Sequence, residues 1–481
     1  MKKPVKSPVR QQETHFMTLP PRPRPTVVIV GAGIAGLMMG ILLDKMDIPY
    51  TILERAPKVK PLGALMSFNG NILALFDQLG MLEEAMSISF KIHSTNLFDE
   101  KLNKLAEVNT SDHHDRTGYD FIVFSRPELY EIIRKRVPEE KVLMNKKVTA
   151  IKKTATGVEV SCSDNTSYEG HILIGADGAY STVRQKLYNE MEAEGVLPKS
   201  DAEDLAMPYL CMVGTTTPRD PKKYPELEGP NTHIHHVIGD GTPYSWTVIT
   251  IPGNRFCWSV MQQITDPAEA KAQRFRNSEW GPEATESMIA AVRDFPTTFG
   301  GGTLGDILDA TPKDVVSKVM LEEKLFDTWH HGNVVLIGDA VHKMLPTSGQ
   351  GAINAMQDAV VLANCIYDLE DLKPESLDAA FESYKQQRHG EAKKQVINSA
   401  VNAKISSGQT FLDRCVRHVV LNWIPKSFQD RQFTKDAAYR PQCTFLPRIP
   451  DKGSVPSLPQ LPSKRYQAEQ AAAAAASPTA L

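Results

Sequence analysis

The stretch TVVIVGAGIAGLMMGILLDKMDIPYTILE, residues 26–54, opens with the β-branched apolar run Val27-Val28-Ile29-Val30. Gly31, Gly33 and Gly36 follow, then an apolar run from Leu37 to Leu43 and a second one, Tyr50 to Leu53, that ends in Glu54. This order predicts a strand, a tight glycine turn, a helix and a second, parallel strand, the arrangement that holds a dinucleotide. Gly31 permits the sharp turn out of the strand, Gly33 lets backbone N–H groups approach a pyrophosphate, and Gly36 lets the helix pack closely on the strand. The helix N-terminus adds unpaired N–H donors and a partial positive charge. Glu54, 18 residues after Gly36, is placed to accept the ribose hydroxyls of an adenosine. A membrane anchor is the competing reading, because Thr26 to Leu43 runs 18 residues without a charge. A spanning helix requires neither the β-branched start, nor this glycine spacing, nor the closing acid, so the dinucleotide reading is preferred.

Around this stretch the chain has the make-up of a soluble globular protein, with 41% apolar and 23% charged residues. Its 481 residues allow two intimately joined domains plus tails. A net charge of only -3 gives no electrostatic case for nucleic acid. The six cysteines show no C-x-x-C or metal-like spacing, which predicts reduced thiols in a cytoplasmic setting and no metal site. Residues 1–25, basic and Pro-rich, read as a disordered tail without the apolar region of a secretory signal.

After Glu54, Pro57, Pro61 and Gly63 mark a loop placed to run beside a bound cofactor, and Asn71 to Met86 reads as one amphipathic helix. Ser125 and Glu128 have capping-box spacing, which puts Arg126 at a helix start. The helix dipole disfavours a cation there, so an anionic cofactor would give Arg126 a reason; the alternative is an exposed arginine without a role. Lys147 to Tyr168 reads as a hairpin or meander. In HILIGADGAYSTVR, residues 171–184, a strand ends at Asp177 and a helix begins with Ser181 as its cap. Asp177 stands where α/β folds bind ligands, or in a plain Asp-Gly turn. Leu205 to Met261 predicts an antiparallel sheet with Trp246, Phe256 and Trp258 as its core.

Gly300-Gly301-Gly302-Thr303-Leu304-Gly305 also matches G-x-G-x-x-G, but no buried strand precedes it, so it is read as a glycine loop. A further stretch, NVVLIGDAVHKMLPTSGQGAINAMQD (residues 333–358), predicts a strand ending at Asp339, then a loop into a helix. Gly349 and Gly351 again put bare backbone at a helix N-terminus, a second anion- or carbonyl-binding place, and Asp339 is placed to accept a sugar hydroxyl. His342 is read as structural or exposed. From Pro374 the chain reads as helical. Phe411 to Trp423 is amphipathic and too polar to span a bilayer; it is suited to a membrane surface, with packing on the protein body the preferred expectation. The run from Ala471 is low in complexity and is expected to be disordered.

The ordered triple of GAGIAG with Glu54, GADGAYSTVR and GDAVHKMLPTSGQGA resembles the FAD-dependent monooxygenases of the para-hydroxybenzoate hydroxylase type, over about Thr26 to Arg448. Within them it resembles the fungal branch with terpenoid epoxidases and salicylate-hydroxylase-like enzymes. The resemblance implies an α/β fold: a three-layer, Rossmann-like FAD-binding domain of the GR2 type, an inserted antiparallel-sheet substrate domain and a helical C-terminal region. The corresponding division is an FAD-binding part at 26–200, with interspersed substrate-side segments, and a substrate domain at 201–325. A second FAD-binding part follows at 326–370, a helical region at 371–448 and a disordered tail at 449–481.

It further implies FAD as cofactor, held by Gly31, Gly33, Gly36, Glu54, Gly63, Arg126, Asp177, Asp339, Gly349, Gly351 and Ala352. NAD(P)H is the implied electron donor, and a flavin C4a-hydroperoxide formed from O2 delivers oxygen to a small organic substrate, in secondary metabolism. A flavin oxidase or dehydrogenase, and a non-catalytic flavoprotein module, remain as alternatives. The loop ending at Ser67 departs from the small glycine-rich ending common in the family. The chain lacks the C-terminal membrane helices of many terpenoid-branch members, and Trp246 alone before Ile251-Pro252 disfavours the related halogenases.

Overall fold

The computed structural model describes residues 22–58, 65–264, 282–423 and 425–476. Of the tail expected at 1–25, all but the last four residues lie outside this range, as does Gly63. The opening stretch forms β1 (Val27–Val30), α1 (Ile34–Lys45) and β2 (Tyr50–Leu53), with β1 and β2 parallel and Val30 opposite Leu53. The other two motif strands join the same sheet. β3 (Ile172–Gly175) lies parallel to β1 with Val30 opposite Gly175, and β4 (Val334–Leu336) lies parallel beyond β3. The spatial order is therefore β4-β3-β1-β2, with His330–His331 outside β4 and Val142–Leu143 outside β2. β1, β3 and β4 are buried along their whole length, which is why they read as continuous apolar runs rather than alternating ones.

Both faces of this sheet are covered. Gly36 of α1 lies against Ile29, whereas Gly170, in a three-stranded antiparallel meander, lies against Val28. Adjacent strand residues point to opposite faces, so helix and meander form the two outer layers. The motifs lead into helices in turn: α2 (Arg126–Arg134), α3 (Thr182–Ala193) and α4 (Gly351–Tyr367), of which α4 packs beside α1. α5 (Pro374–Ser407), α6 (Phe411–Trp423) and α7 (Lys426–Ala438) make the C-terminal helical region.

A second, ten-stranded sheet takes strands from both sides of the insertion. It is mixed rather than wholly antiparallel, because Asn231–Ile238 pairs parallel with Ser89–Asp99, a strand from the first part of the chain. Trp246, Phe256 and Trp258 are buried on one face, in the core expected of them. On the other face Tyr209, Cys211, Met261 and Leu321 meet Leu345, from the third motif, and Ala403 of α5.

Four local expectations are corrected. The helix over 71–86 is two, Gly70–Gln78 and Leu82–Ser87, because Gly80 takes φ +69° and breaks the run. The capping box at α2 is not made: Ser125 forms no side-chain cap, and Glu128 instead faces Arg255 at 3.4 Å. Residues 449–476 of the expected disordered tail are placed. Ser454 and Val455 donate to the carbonyls of Asp115 and Arg116, Lys452 pairs with Asp77 at 2.5 Å, and Lys464–Ala476 is a helix. Alanine is the best helix former, so a low-complexity alanine run needs only an anchored first turn to become helical. Finally, α6 does not pack its apolar face on the protein: Leu412 and Trp423 are 70% and 74% exposed.

Candidate cofactor site

The three motif turns leave the same edge of one sheet, since the strands feeding them are parallel neighbours. Backbone contacts tie the turns together. Gly31, at φ +107°, leaves no room for a Cβ beside the Ala176 carbonyl of the second motif. Gly338, at φ +65°, would place one 3.4 Å from Ala35 of α1. A Cβ on Gly36 would overlap the Gly31 carbonyl, so only glycine permits this approach of helix to turn.

Two of the three helices that start here have no side-chain cap, α1 at Gly33 and α4 at Gln350. A Cβ on Gly33 or on Gly351 would meet nothing within 4 Å, so open space lies over both positions. Uncapped N–H donors beside open space suit an anion or a carbonyl. α3 is the contrast. Ser181 accepts from the Arg184 N–H at 2.9 Å, and the Asp177 carboxylate accepts from the N–H groups of Thr182 and Val183 and from the Ser181 hydroxyl. Asp177 thus serves the helix that follows it. Burial pushes its pKa up, against those hydrogen bonds.

Glu54 ends β2 with its carboxylate turned to the first glycine turn, accepting from the Ala32 N–H at 2.9 Å and the Ala56 N–H at 2.9 Å. Each oxygen keeps a further lone pair for a hydroxyl. Asp339 accepts from the Lys343 ammonium at 2.7 Å. Burial pushes the Asp339 carboxyl up, but Lys343, with His342 and Arg126, outweighs it and holds the group below the usual carboxylate value. Arg126 is exposed at the start of α2 and close enough to act on both members of the Asp339–Lys343 pair. Glu322 also acts on Lys343, so two cations, Arg126 and Lys343, stand with two acids at this corner. Gly349, at φ +64°, faces Ser67 across the loop: a Cβ there would stand 2.6 Å from the serine hydroxyl. Gly351 and Ala352 form the partly exposed first turn of α4.

Sequence reasoning missed the ties behind this surface. Arg184 is buried and donates to the Ala340 carbonyl at 2.8 Å, joining the second motif to the third. Asp358, wholly buried in α4, accepts from the Gly338 N–H at 2.8 Å, His342 Nε2 at 2.6 Å and Arg388 Nε at 2.8 Å. One carboxylate therefore holds both ends of the turn that carries Asp339. His342, also wholly buried, is a partner in this network, in line with the structural reading of it. The single charge inside the otherwise uncharged run 353–363 was a usable signal for Asp358; Arg388, in the polar run of α5, gave none.

Among the described residues, Glu190, Glu194 and His331 could together face a cation, but the Lys153 ammonium already stands 2.5 Å from Glu190. A cavity of about 310 Å³ opens between α4, α5 and the C-terminal segment, beside Cys365, Ser383 and Gln387, and none of the candidate site residues lines it. The Gly300–Gly305 loop runs into a short helix capped by Thr303 and Asp306, whose Leu304, Ile307 and Leu308 pack in the core with Trp246 and Trp258.

Residues 24–207 and 304–399 match the family described as FAD binding domain, and the chain belongs to that family. It is an FAD-dependent monooxygenase, an oxidoreductase with FAD as its cofactor. It is 30% identical over 357 residues to the FAD-dependent monooxygenase ptmM of Penicillium ochrochloron, covering 71% of this chain and 78% of that one. It is 28% identical over 431 residues to the FAD-dependent monooxygenase ausM of Aspergillus calidoustus, covering 88% of each. The fold is shared with Klebsiella pneumoniae HpxO complexed with FAD and uric acid, at TM-score 0.68 and 20% identity over 86% of this chain and 97% of that one. It is also shared with 2,6-dihydroxypyridine-3-hydroxylase from Arthrobacter nicotinovorans, at TM-score 0.63 and 17% identity over 81% and 95%. No helix among the described residues is long and apolar enough to cross a membrane.

Proposed function

We propose that this enzyme uses NAD(P)H and O2 to hydroxylate or epoxidise a small hydrophobic or aromatic molecule, in secondary metabolism. FAD, when bound, supplies the chemistry that joins the electrons of NAD(P)H to O2; the protein binds, orients and excludes water. The observation that carries the reading is the meeting of three glycine turns at one sheet edge, with open space over Gly33 and Gly351. Gly33 and the α1 N-terminus receive the pyrophosphate, and Glu54 the adenosine ribose. Asp339 accepts from the ribityl chain. Gly349, Gly351 and Ala352 lie by the flavin ring, and Arg126 contributes positive charge. Asp177 acts on the cofactor only through the α3 helix that it caps. Tyr209, Cys211, Met261 and Leu321 meet the third motif at Leu345, which supplies an apolar, water-excluding wall for an apolar substrate.

The test is a substrate screen by NADPH consumption, followed by mass spectrometry of products made under ¹⁸O2. Label in the product is expected. Substrate-stimulated NAD(P)H oxidation without label would make the protein an oxidase or dehydrogenase. FAD retention with no stimulated oxidation would make it a binding module.

A further inference from the structure

The face of α6 turned away from the protein is apolar. Leu412, Val416, Val419 and Trp423 follow one another at four-, three- and four-residue steps, which places them on one side of a helix. They are 70%, 41%, 51% and 74% exposed, and Phe411, at the helix start, is 83% exposed. Phe428 of α7 adds a further exposed ring. A contiguous apolar face of this kind marks an interaction site.

The opposite side of α6 is anchored to the substrate domain. Asp413 is buried, accepting from the N–H and hydroxyl of Thr410 and facing the Gln263 side chain. Arg417 donates to the carbonyls of Ile405 and Gly408, and Arg414 pairs with Asp240 at 2.6 Å. The helix is thus held in place with its apolar side outward.

Charge selects the partner. Residues 411–438 hold five Lys and Arg (414, 417, 426, 431, 435) against three Asp (413, 430, 436), whereas the whole chain is at -3. All three acids are engaged by the protein itself, Asp413 as above, Asp430 with Arg116 and Asp436 with Lys394, and so are Arg414 and Arg417, so the positive excess comes from Lys426, Arg431 and Lys435 of α7. A fixed amphipathic helix with cationic flanks and a tryptophan at its end matches an anionic lipid surface. We propose that α6 docks this protein onto an anionic bilayer surface, its apolar side chains entering the headgroup boundary next to the substrate sheet. This does not depend on the reaction proposed above.

Sedimentation of the full-length protein with vesicles tests it, using phosphatidylcholine alone and phosphatidylcholine with phosphatidylserine in equal parts. The protein is expected to co-sediment with the mixed vesicles and to be released by salt. Trp423 emission should shift to the blue, and Trp423→Phe should keep binding but diminish the shift. Leu412→Ser and Trp423→Ala should each lower partitioning about tenfold, with the melting temperature unchanged because both side chains are exposed. Absence of binding to the mixed vesicles, or equal binding by the Leu412→Ser/Trp423→Ala double variant, would overturn the proposal. So would a double variant that melts early, which would place the face against the protein. A dimer in sedimentation velocity that Val419→Asp dissolves, without vesicle binding, would assign the face to a second copy.

Discussion

Gly33→Ala separates cofactor binding from folding at a single methyl group. The chain itself has nothing within 4 Å of the new Cβ, and φ is -74°, which any residue adopts. Folding therefore changes little: the reduced freedom of the unfolded chain stabilises by about 0.4–1 kcal/mol, offset by up to about 1 kcal/mol because alanine is a poorer N-cap than glycine. A pyrophosphate passing over Gly33 meets the methyl instead. Loss of one backbone hydrogen bond to a charged phosphate costs about 1.5–3 kcal/mol, a rise in Kd of about 10- to 150-fold. Gly36→Ala is the control, because its Cβ overlaps the Gly31 carbonyl. Overpacking of that kind costs about 1–3 kcal/mol of stability. The assay is titration of the apo-protein with FAD by flavin fluorescence, beside urea denaturation of each variant. A Gly33→Ala protein that binds FAD as tightly as the parent would refute the placement of the pyrophosphate.

Four further outcomes are expected. Asp339→Asn should weaken FAD binding by about 1.5–3 kcal/mol, while the lost ion pair with half-buried Lys343 costs under about 1 kcal/mol of stability; titration and denaturation read the two separately. Asp358→Ala leaves Arg388 buried without its counter-charge, which should cost about 3–5 kcal/mol in urea denaturation. Gly301→Ala forces alanine to φ +63° in the other glycine loop, so it should lower stability slightly and leave FAD affinity unchanged in the same titration. His113 concerns pH. Its Nε2 accepts from the Gly70 N–H at 3.1 Å, and burial pushes its pKa down to about 4. The unfolded histidine binds its proton near about 6.5, so between these values the unfolded state holds more protons. Stability is full above the upper value and is lost as pH falls towards the lower one. His113→Asn should flatten the urea midpoint against pH in that window, and an unchanged slope would show that His113 is not the group responsible.

The sheet edge was legible because its strands are apolar on both faces and its turns need glycine for steric reasons. Gly31 and Gly36 each oppose a carbonyl, and such constraints appear as sequence spacing. Trp246, Phe256 and Trp258 could be read as core for the same reason, since burial of large aromatics is a local signal. What sequence did not reveal depends on tertiary partners. Asp177 read either as a ligand or as part of an Asp-Gly turn, and the sequence did not reveal that its carboxylate accepts from the Thr182 and Val183 N–H groups. Residues 449–463 have no periodicity, but backbone bonds to Asp115 and Arg116 fix their path. Gly80 breaks an amphipathic pattern that continues on either side of it. The outward face of α6 was invisible because periodicity gives an apolar side, not what lies opposite it.

The measurement closest to the central claim is the absorption spectrum and flavin content of the purified protein after incubation with FAD and gel filtration. One FAD per chain with flavin absorbance is the result predicted, falling in Gly33→Ala and Asp339→Asn and holding in Gly301→Ala. A colourless protein that no added FAD reconstitutes would contradict it.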